Sequence, residues 1–246
     1  MRKIVYISGT RADFGLMKSV LKEIDKSKEL DLIIVVTGMH LMSEFGHTIR
    51  DIETEGFETE IIKAYYDNDN LESSPRFLGE FLHKLTNKLI KIKPDILFLL
   101  GDRSEMLAGA IAGQYLNIPV AHVSGGDLTG HVDDSIRHAI TKIAHAHFPI
   151  SKRSAERIIN MRERPGRVFF TGSPSVDSIK IKRRVKSNLI FRKYKINISN
   201  PYVLVIQHPV ITEINDVESQ MRKTLDAIIK LKIQSIVIYP NADSGG

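Results

Sequence analysis

The sequence predicts an α/β protein: an open, doubly wound parallel sheet, followed by the start of a second unit of the same class. Three observations predict it. Short β-rich runs alternate with amphipathic helical stretches over about the first 170 residues. The run Asp-Ile-Leu-Phe-Leu-Leu (95–100) is almost wholly apolar, as in a strand buried on both faces of a parallel sheet. The alternation breaks at a basic segment and restarts at residue 202.

Taken in order, residues 3–8 read as a short buried strand. Leu16, Val20, Leu21 and Ile24 then recur at helical spacing within 14–24. A strand over 32–36, a helix around 47–55 and a strand over 59–61 follow, then a polar loop over 66–74. Leu78, Phe81, Leu82, Leu85 and Leu89 give 76–92 one apolar side, and Pro94 stops that helix because its ring excludes the helical conformation before it. After the central strand come a helix over 106–116, a strand over 119–123, a helix over 133–145, a strand over 146–150, a helix over 151–161 and a strand over 167–170. Such alternation implies right-handed crossovers, and sheets of this kind bind ligands beyond the carboxyl ends of their strands. Past the basic segment, 202–206 and 235–239 read as strands around a helix over 216–229, too few elements for an independent sheet. The expected organisation is a Rossmann-like domain over 1–172, a basic linker or helix over 173–200, and the opening of a second Rossmann-like domain over 201–246.

Composition narrows the class. The chain has 246 residues, 42% hydrophobic and 26% charged, enough apolar content for a core. It has no cysteine, which excludes disulfides, thiolate metal sites and a cysteine nucleophile. No apolar run approaches the ~20 residues of a membrane span, and the run after Met1-Arg2-Lys3 is too short for a signal-peptide core, so a cytoplasmic protein without a membrane partner is expected. The net charge of +6 comes from one place. Eight of the 35 basic residues fall within 180–195, which holds no acid, and the rest of the chain has 27 basic against 29 acidic residues. A solvated helix face or linker accounts for that segment, and no nucleic-acid partner is expected.

Functional side chains should sit in the turns after strands. Ser8-Gly9-Thr10-Arg11-Ala12-Asp13-Phe14-Gly15 lets backbone approach a ligand and offers helix N-terminal amides to an anion. It carries neither the dinucleotide glycine spacing nor a phosphate-loop Gly-Lys-Ser/Thr, and a tight turn with an exposed arginine is the structural alternative. Gly101-Asp102-Arg103 puts a possible proton-transfer group beside a phosphate-binding cation, or merely an ion pair at a strand end. Ser124-Gly125-Gly126-Asp127-Leu128-Thr129-Gly130 leads to Asp133-Asp134-Ser135-Ile136-Arg137, where Asp133 and Arg137 are four apart and can pair on one helix face. At a helix start Asp133 should stay ionised, which suits a base or an electrostatic role. His122 and His147 fall in strands, and His138 and His145 are seven apart on a helix, so no metal site is expected. Gln207-His208-Pro209-Val210 and Asn241-Ala242-Asp243-Ser244-Gly245-Gly246 follow the two later strands. Facing strand ends of two α/β units would form a cleft fit for a nucleotide-sugar.

Six motifs in this order resemble the UDP-N-acetylglucosamine 2-epimerase family, in its hydrolysing branch: Gly-Thr-Arg-Ala-Asp-Phe-Gly (9–15), Leu-Gly-Asp-Arg (100–103), Asp-Asp-Ser-Ile-Arg-His-Ala-Ile-Thr-Lys (133–142), Thr-Gly-Ser-Pro (171–174), Gln-His-Pro-Val (207–210) and Tyr-Pro-Asn-Ala-Asp (239–243). The resemblance implies a GT-B-like fold of two facing Rossmann-like domains, the second incomplete in this chain. It implies removal of the C2 proton of a UDP-2-acetamido sugar, loss of UDP to leave a glycal, and addition of water to give the free 2-epimeric sugar for sialic-acid or surface-polysaccharide synthesis. The resemblance implies that no cofactor is required, and a homodimer or homotetramer is expected. By position, Arg11, Gly15, Arg103, His208 and Asn241 would hold the diphosphate, Asp102 and Asp133 would be catalytic carboxylates, and Arg137 would orient Asp133. Ser124 stands in a substrate-contacting position where the family often has glutamate; either Asp127 or His122 would substitute for it, or the enzyme would belong to a subgroup acting on a different sugar. A GT-B glycosyltransferase and a non-catalytic nucleotide-sugar-binding fragment are the alternatives, which proton exchange at C2 separates from an epimerase.

Overall fold

The sheet is built from strands whose side chains are apolar on both faces. A computed structural model describes residues 1–67, 72–130, 132–181, 187–197 and 199–239, and they divide into two units. In the first, β1 (Arg2–Ser8), β2 (Leu30–Val36), β3 (Thr59–Ile61), β4 (Ile96–Leu100), β5 (Val120–Val123) and β6 (Ala146–Phe148) pair in parallel in the order β3-β2-β1-β4-β5-β6. In β1, Val5 and Ile7 point to one face while Ile4 and Tyr6 point to the other, all buried.

Helices cover both faces. On the first, Phe77, Phe81, Leu85 and Leu89 of α3 (Ser73–Ile92) and the small residues of α4 (Ser104–Tyr115) pack with Ile140 of α5 (Asp133–Ile143). On the second lie Phe14, Met17 and Leu21 of α1 (Arg11–Asp25) and Ile52 of α2 (Ile49–Thr54). Helix α1 starts with a reciprocal capping box between Thr10 and Asp13. Helix α3 ends on Lys93, whose left-handed conformation closes the last turn immediately before Pro94, and Pro94 cannot continue the helix.

Three local features depart from the expected pattern. Residues 167–170 form no strand: a 3-10 turn at Pro165–Arg167 leaves Val168 as a single bridge to His147. Proline and glycine at its start favour the turn over a ladder. Short 3-10 turns at Gly38–Leu41 and Ser43–Phe45 follow β2, too short for any periodicity to mark. After α6 (Lys152–Asn160), α7 (Pro174–Ile181) packs on α1, where Ser178 Oγ lies 3.3 Å from Ser19 Oγ, and it groups with the first unit.

In the second unit, α8 (Ser187–Tyr194) precedes a two-stranded parallel ladder of β7 (Tyr202–Ile206) and β8 (Gln234–Ile238), joined through α9 (Val217–Leu231). Tyr202, Leu204 and Ile206 alternate to an exposed side of β7. Among the described residues, no helix is long and apolar enough to cross a membrane.

Candidate functional site

The strand order reverses between β1 and β4, so the turns after these strands flank a crevice at the carboxyl edge of the sheet. Three turns of the first unit carry the chemistry.

The turn after β1 is fixed from below. Asp13 is buried and accepts from Gly9 N at 3.0 Å, Thr10 N at 2.8 Å, Thr10 Oγ1 at 3.0 Å and from Ser8 Oγ. Burial pushes its carboxyl up to about 6, with the Ser8 hydrogen bond opposing. The fully buried His40 completes this network. Its Nε2 is 2.9 Å from Ser8 Oγ and its Nδ1 2.8 Å from Thr48 Oγ1. Because Ser8 already donates to Asp13, Nε2 is the atom that donates to Ser8. Burial lowers the imidazole to about 4, which keeps the ring neutral. Arg11 and Gly15 lie exposed on the first turns of α1, and no atom comes within 4 Å of where a Gly15 Cβ would stand.

After β4 and β5, one guanidinium organises the site. Arg137, 6% exposed on α5, ion-pairs with Asp102, bonds Asp134 Oδ1 at 2.8 Å and donates to the Asp127 carbonyl at 3.1 Å. Where the sequence suggested Asp133, the ion pairs of Arg137 among the described residues run to Asp102 and Asp134. The cause is the loop before α5. Asp134 turns back to accept from Thr129 N at 2.8 Å, Thr129 Oγ1 at 2.9 Å and Gly130 N at 2.9 Å, which places its carboxylate against Arg137. Burial opposes its charge, yet these donated hydrogen bonds hold it below the usual carboxylate range. Asp133, half-buried, begins α5 beside it.

The loop after β5 is held closely. Ser124 has φ +59, a left-handed conformation that is costly for a non-glycine residue, and its N–H donates to Phe148 O at 3.1 Å. Gly126 has φ +76, and a Cβ there would fall 2.4 Å from the Ser154 carbonyl, so no larger residue fits. Asp127 accepts from Ser154 Oγ, and Arg157 donates to the Gly126 carbonyl. His122 lies directly beneath this loop, where a Cβ at Gly125 would fall 2.9 Å from its Nδ1. It is wholly buried, with Nε2 2.7 Å from Gly101 O and Nδ1 3.2 Å from Thr141 Oγ1, and burial lowers it to about 4. It supports the turn that carries Asp102.

Arg103 caps α4. Its Nε donates to Glu105 Oε2 at 3.2 Å, and a terminal nitrogen lies 3.4 Å from the Tyr66 hydroxyl. The structure thus brings Asp102, Arg103, Asp127 and Arg137 into linked turns of one unit. His208 lies exposed after β7 in the second unit, and Asn241 lies outside the described residues. His145 falls beyond the end of α5 and accepts from Val120 N at 3.3 Å instead of sharing a helix with His138. Among the described residues, no group of three or more His, Asp or Glu side chains is placed to hold a metal ion. Asp134, Ser154, Tyr66 and Glu105 join the site without having stood out in the sequence. Only Asp134 carried a signal, an acid following Thr129-Gly130 at turn spacing.

A family model described as UDP-N-acetylglucosamine 2-epimerase matches residues 22–246. The chain belongs to the UDP-N-acetylglucosamine 2-epimerase family. A Legionella pneumophila relative named UDP-N,N'-diacetylbacillosamine 2-epimerase (hydrolyzing) is 38% identical over all of this chain and 66% of its own length. A Neisseria meningitidis serogroup B relative named UDP-N-acetylglucosamine 2-epimerase is 33% identical over all of this chain and 64% of its own. The chain thus spans just under two thirds of these two relatives. The crystal structure of UDP-GlcNAc 2-epimerase from Neisseria meningitidis bound to UDP-GlcNAc superposes with a TM-score of 0.81 at 17% identity, covering 99% of this chain and 67% of that one. That likeness supplies the GT-B-like α/β fold class expected for the family.

Proposed function

We propose that this chain is part of a hydrolysing 2-epimerase acting on a UDP-2-acetamido sugar. The observation that carries the reading is the Asp102–Arg137 ion pair at the crevice of the first unit, next in sequence to Arg103. It puts a charge-compensated carboxylate beside a cation suited to a diphosphate, the two groups that elimination of UDP requires. The hydrolysing reading is also supported by the printed name of the Legionella relative.

In this reading Asp102 and Asp133 serve as the carboxylates of proton transfer. One takes the C2 proton, the C1–O bond to UDP breaks, and the electron pair left at C2 forms the C1=C2 double bond of a glycal. Water then adds across that bond, its hydroxyl to C1 and a proton to C2 from the opposite face, giving the manno-configured free sugar. Arg137 holds Asp102 in place. Asp127, oriented by Ser154, supplies the polar group near C2 where Ser124 cannot act as an acid or base. Arg11, the open backbone at Gly15, Arg103, His208 and Asn241 are assigned to the diphosphate. The free sugar would feed sialic-acid, nonulosonic-acid or surface-polysaccharide precursor synthesis, and the enzyme would work in the cytoplasm as a homodimer or homotetramer.

The test is to incubate the complete gene product with UDP-N-acetylglucosamine and, separately, with UDP-N,N'-diacetylbacillosamine. UDP and a free manno-configured sugar are expected from at least one of them. Release of UDP from neither contradicts the proposal.

A further inference from the structure

Glu105, the second residue of α4, has 0% exposure, and the chemistry proposed above makes no use of it. Its carboxylate joins turns that end three different strands. Oε2 accepts from Arg103 Nε at 3.2 Å, and Oε1 accepts from the Tyr66 hydroxyl at 3.1 Å. The same Tyr66 oxygen lies 3.4 Å from a terminal nitrogen of Arg103 and 2.8 Å from Ser104 Oγ. The Tyr66 ring is itself clamped, stacked on Phe77 with centroids 4.2 Å apart. On the other side, a Cβ at Gly9 would fall 2.2 Å from Glu105 Oε1, and one at Gly38 would fall 3.0 Å from it. Gly9 follows β1 and Gly38 follows β2, so both backbones close over the carboxylate.

A buried carboxylate is costly unless it is paired and hydrogen-bonded. Here the partner is a guanidinium whose side chain is 26% exposed, on the turn after β4. An arginine has four rotatable bonds, and ordering such a side chain at the moment of binding weakens affinity by a factor of roughly 3 to 10. A carboxylate gripping Nε and a tyrosine oxygen beside one terminal nitrogen hold that side chain before the ligand arrives.

We infer that Glu105 is a positioning residue that presets the Arg103 guanidinium for the substrate's diphosphate. The inference rests on the assignment of Arg103 to the diphosphate. It predicts the opposite sign to plain electrostatics. Removing a negative charge near an anion site should tighten binding, whereas losing the preset geometry should weaken it.

The experiment is calorimetry of UDP binding to the complete gene product for wild type, Arg103→Ala, Glu105→Gln, Tyr66→Phe and the Arg103→Ala/Glu105→Gln double variant, with a melting curve for each. Arg103→Ala should weaken UDP binding at least tenfold and Glu105→Gln roughly 3- to 10-fold, while in the Arg103→Ala background Glu105→Gln should change affinity less than about twofold. Tyr66→Phe, which keeps the ring stack, should weaken binding in the same direction by a smaller factor and covers the case in which Glu105→Gln folds poorly. Unchanged or tighter UDP binding in both Glu105→Gln and Tyr66→Phe, with Arg103→Ala impaired, overturns the inference. Equal weakening by Glu105→Gln with and without Arg103 overturns it too, because Glu105 would then act by another route. An Arg103→Ala variant that binds UDP like wild type refutes the diphosphate assignment itself, and the inference with it.

Discussion

Replacing Arg137 with methionine tests how the candidate site is held together. The substitution keeps most of the side-chain volume and removes the charge. It abolishes two ion pairs, to Asp102 and Asp134, and one hydrogen bond to the Asp127 carbonyl, all made by a side chain that is 7% exposed. Removing one partner of a buried pair costs about 3–5 kcal/mol, chiefly by leaving the other charge uncompensated. Asp102 and Asp134 keep side-chain exposures of 23% and 19%, so water can solvate them in part, and the lower end of that range, ~3 kcal/mol, applies here. For a unit of this size that is a fall of about 6–12 °C in Tm. The assay is thermal and urea unfolding of Arg137→Met alone and combined with Asp134→Asn. With one of the stranded carboxylates neutralised, the loss caused by Arg137→Met should shrink by at least ~1 kcal/mol. A loss below ~1 kcal/mol for Arg137→Met, or strict additivity in the double variant, would refute Arg137 as the hub of these turns.

Gly15→Ala should stabilise the protein by ~0.5–1 kcal/mol, since Gly15 lies inside α1 with open space at its Cβ position, and should weaken UDP binding if backbone approach there is used. Calorimetry and melting on one variant read both effects, and unchanged affinity would remove Gly15 from the diphosphate site. Stability should fall on acidification between pH 6.5 and 4. The unfolded chain protonates His40 and His122 in that window, whereas the folded chain keeps both neutral until about 4, at ~3 kcal/mol each. Asp13 acts in the opposite sense: raised to about 6, it takes up a proton in the folded state before the unfolded one does, and it offsets about one histidine. His40→Gln should therefore flatten the urea-unfolding pH profile, and an unaltered slope would contradict the buried neutral ring. Asp102→Asn and Asp133→Asn should each lower turnover by ~10²-fold or more while UDP affinity changes little. Lost affinity with turnover intact would mean binding groups had been taken for catalytic ones.

Much of the fold was legible because burial on both faces leaves a plain mark. The apolar run that became β4 identified the centre of the sheet, and Pro94 marked the end of α3 to within a residue. What escaped were structures set by single contacts: the 3-10 turns after β2, and Val168, reduced to one bridge by the turn before it. The site was half legible for a related reason. Strand-end turns pointed to Asp102, Arg103, Asp127 and Arg137, but the i,i+4 rule chose Asp133 as the partner of Arg137, whereas backbone amides of Thr129 and Gly130 draw Asp134 into that place. Glu105 was invisible because a glutamate in the first turn of a helix is ordinary, and only the crossing of three turns makes it a buried pair.

The most direct test of the proposed chemistry is exchange at C2. The complete gene product is incubated with a UDP-2-acetamido sugar in heavy water, and the released sugar is examined by NMR and mass spectrometry. One deuterium at C2 of a manno-configured sugar is expected, appearing together with free UDP, and none in the Asp102→Asn protein. UDP release with the original C2 proton retained would contradict it and favour simple glycosyl transfer to water.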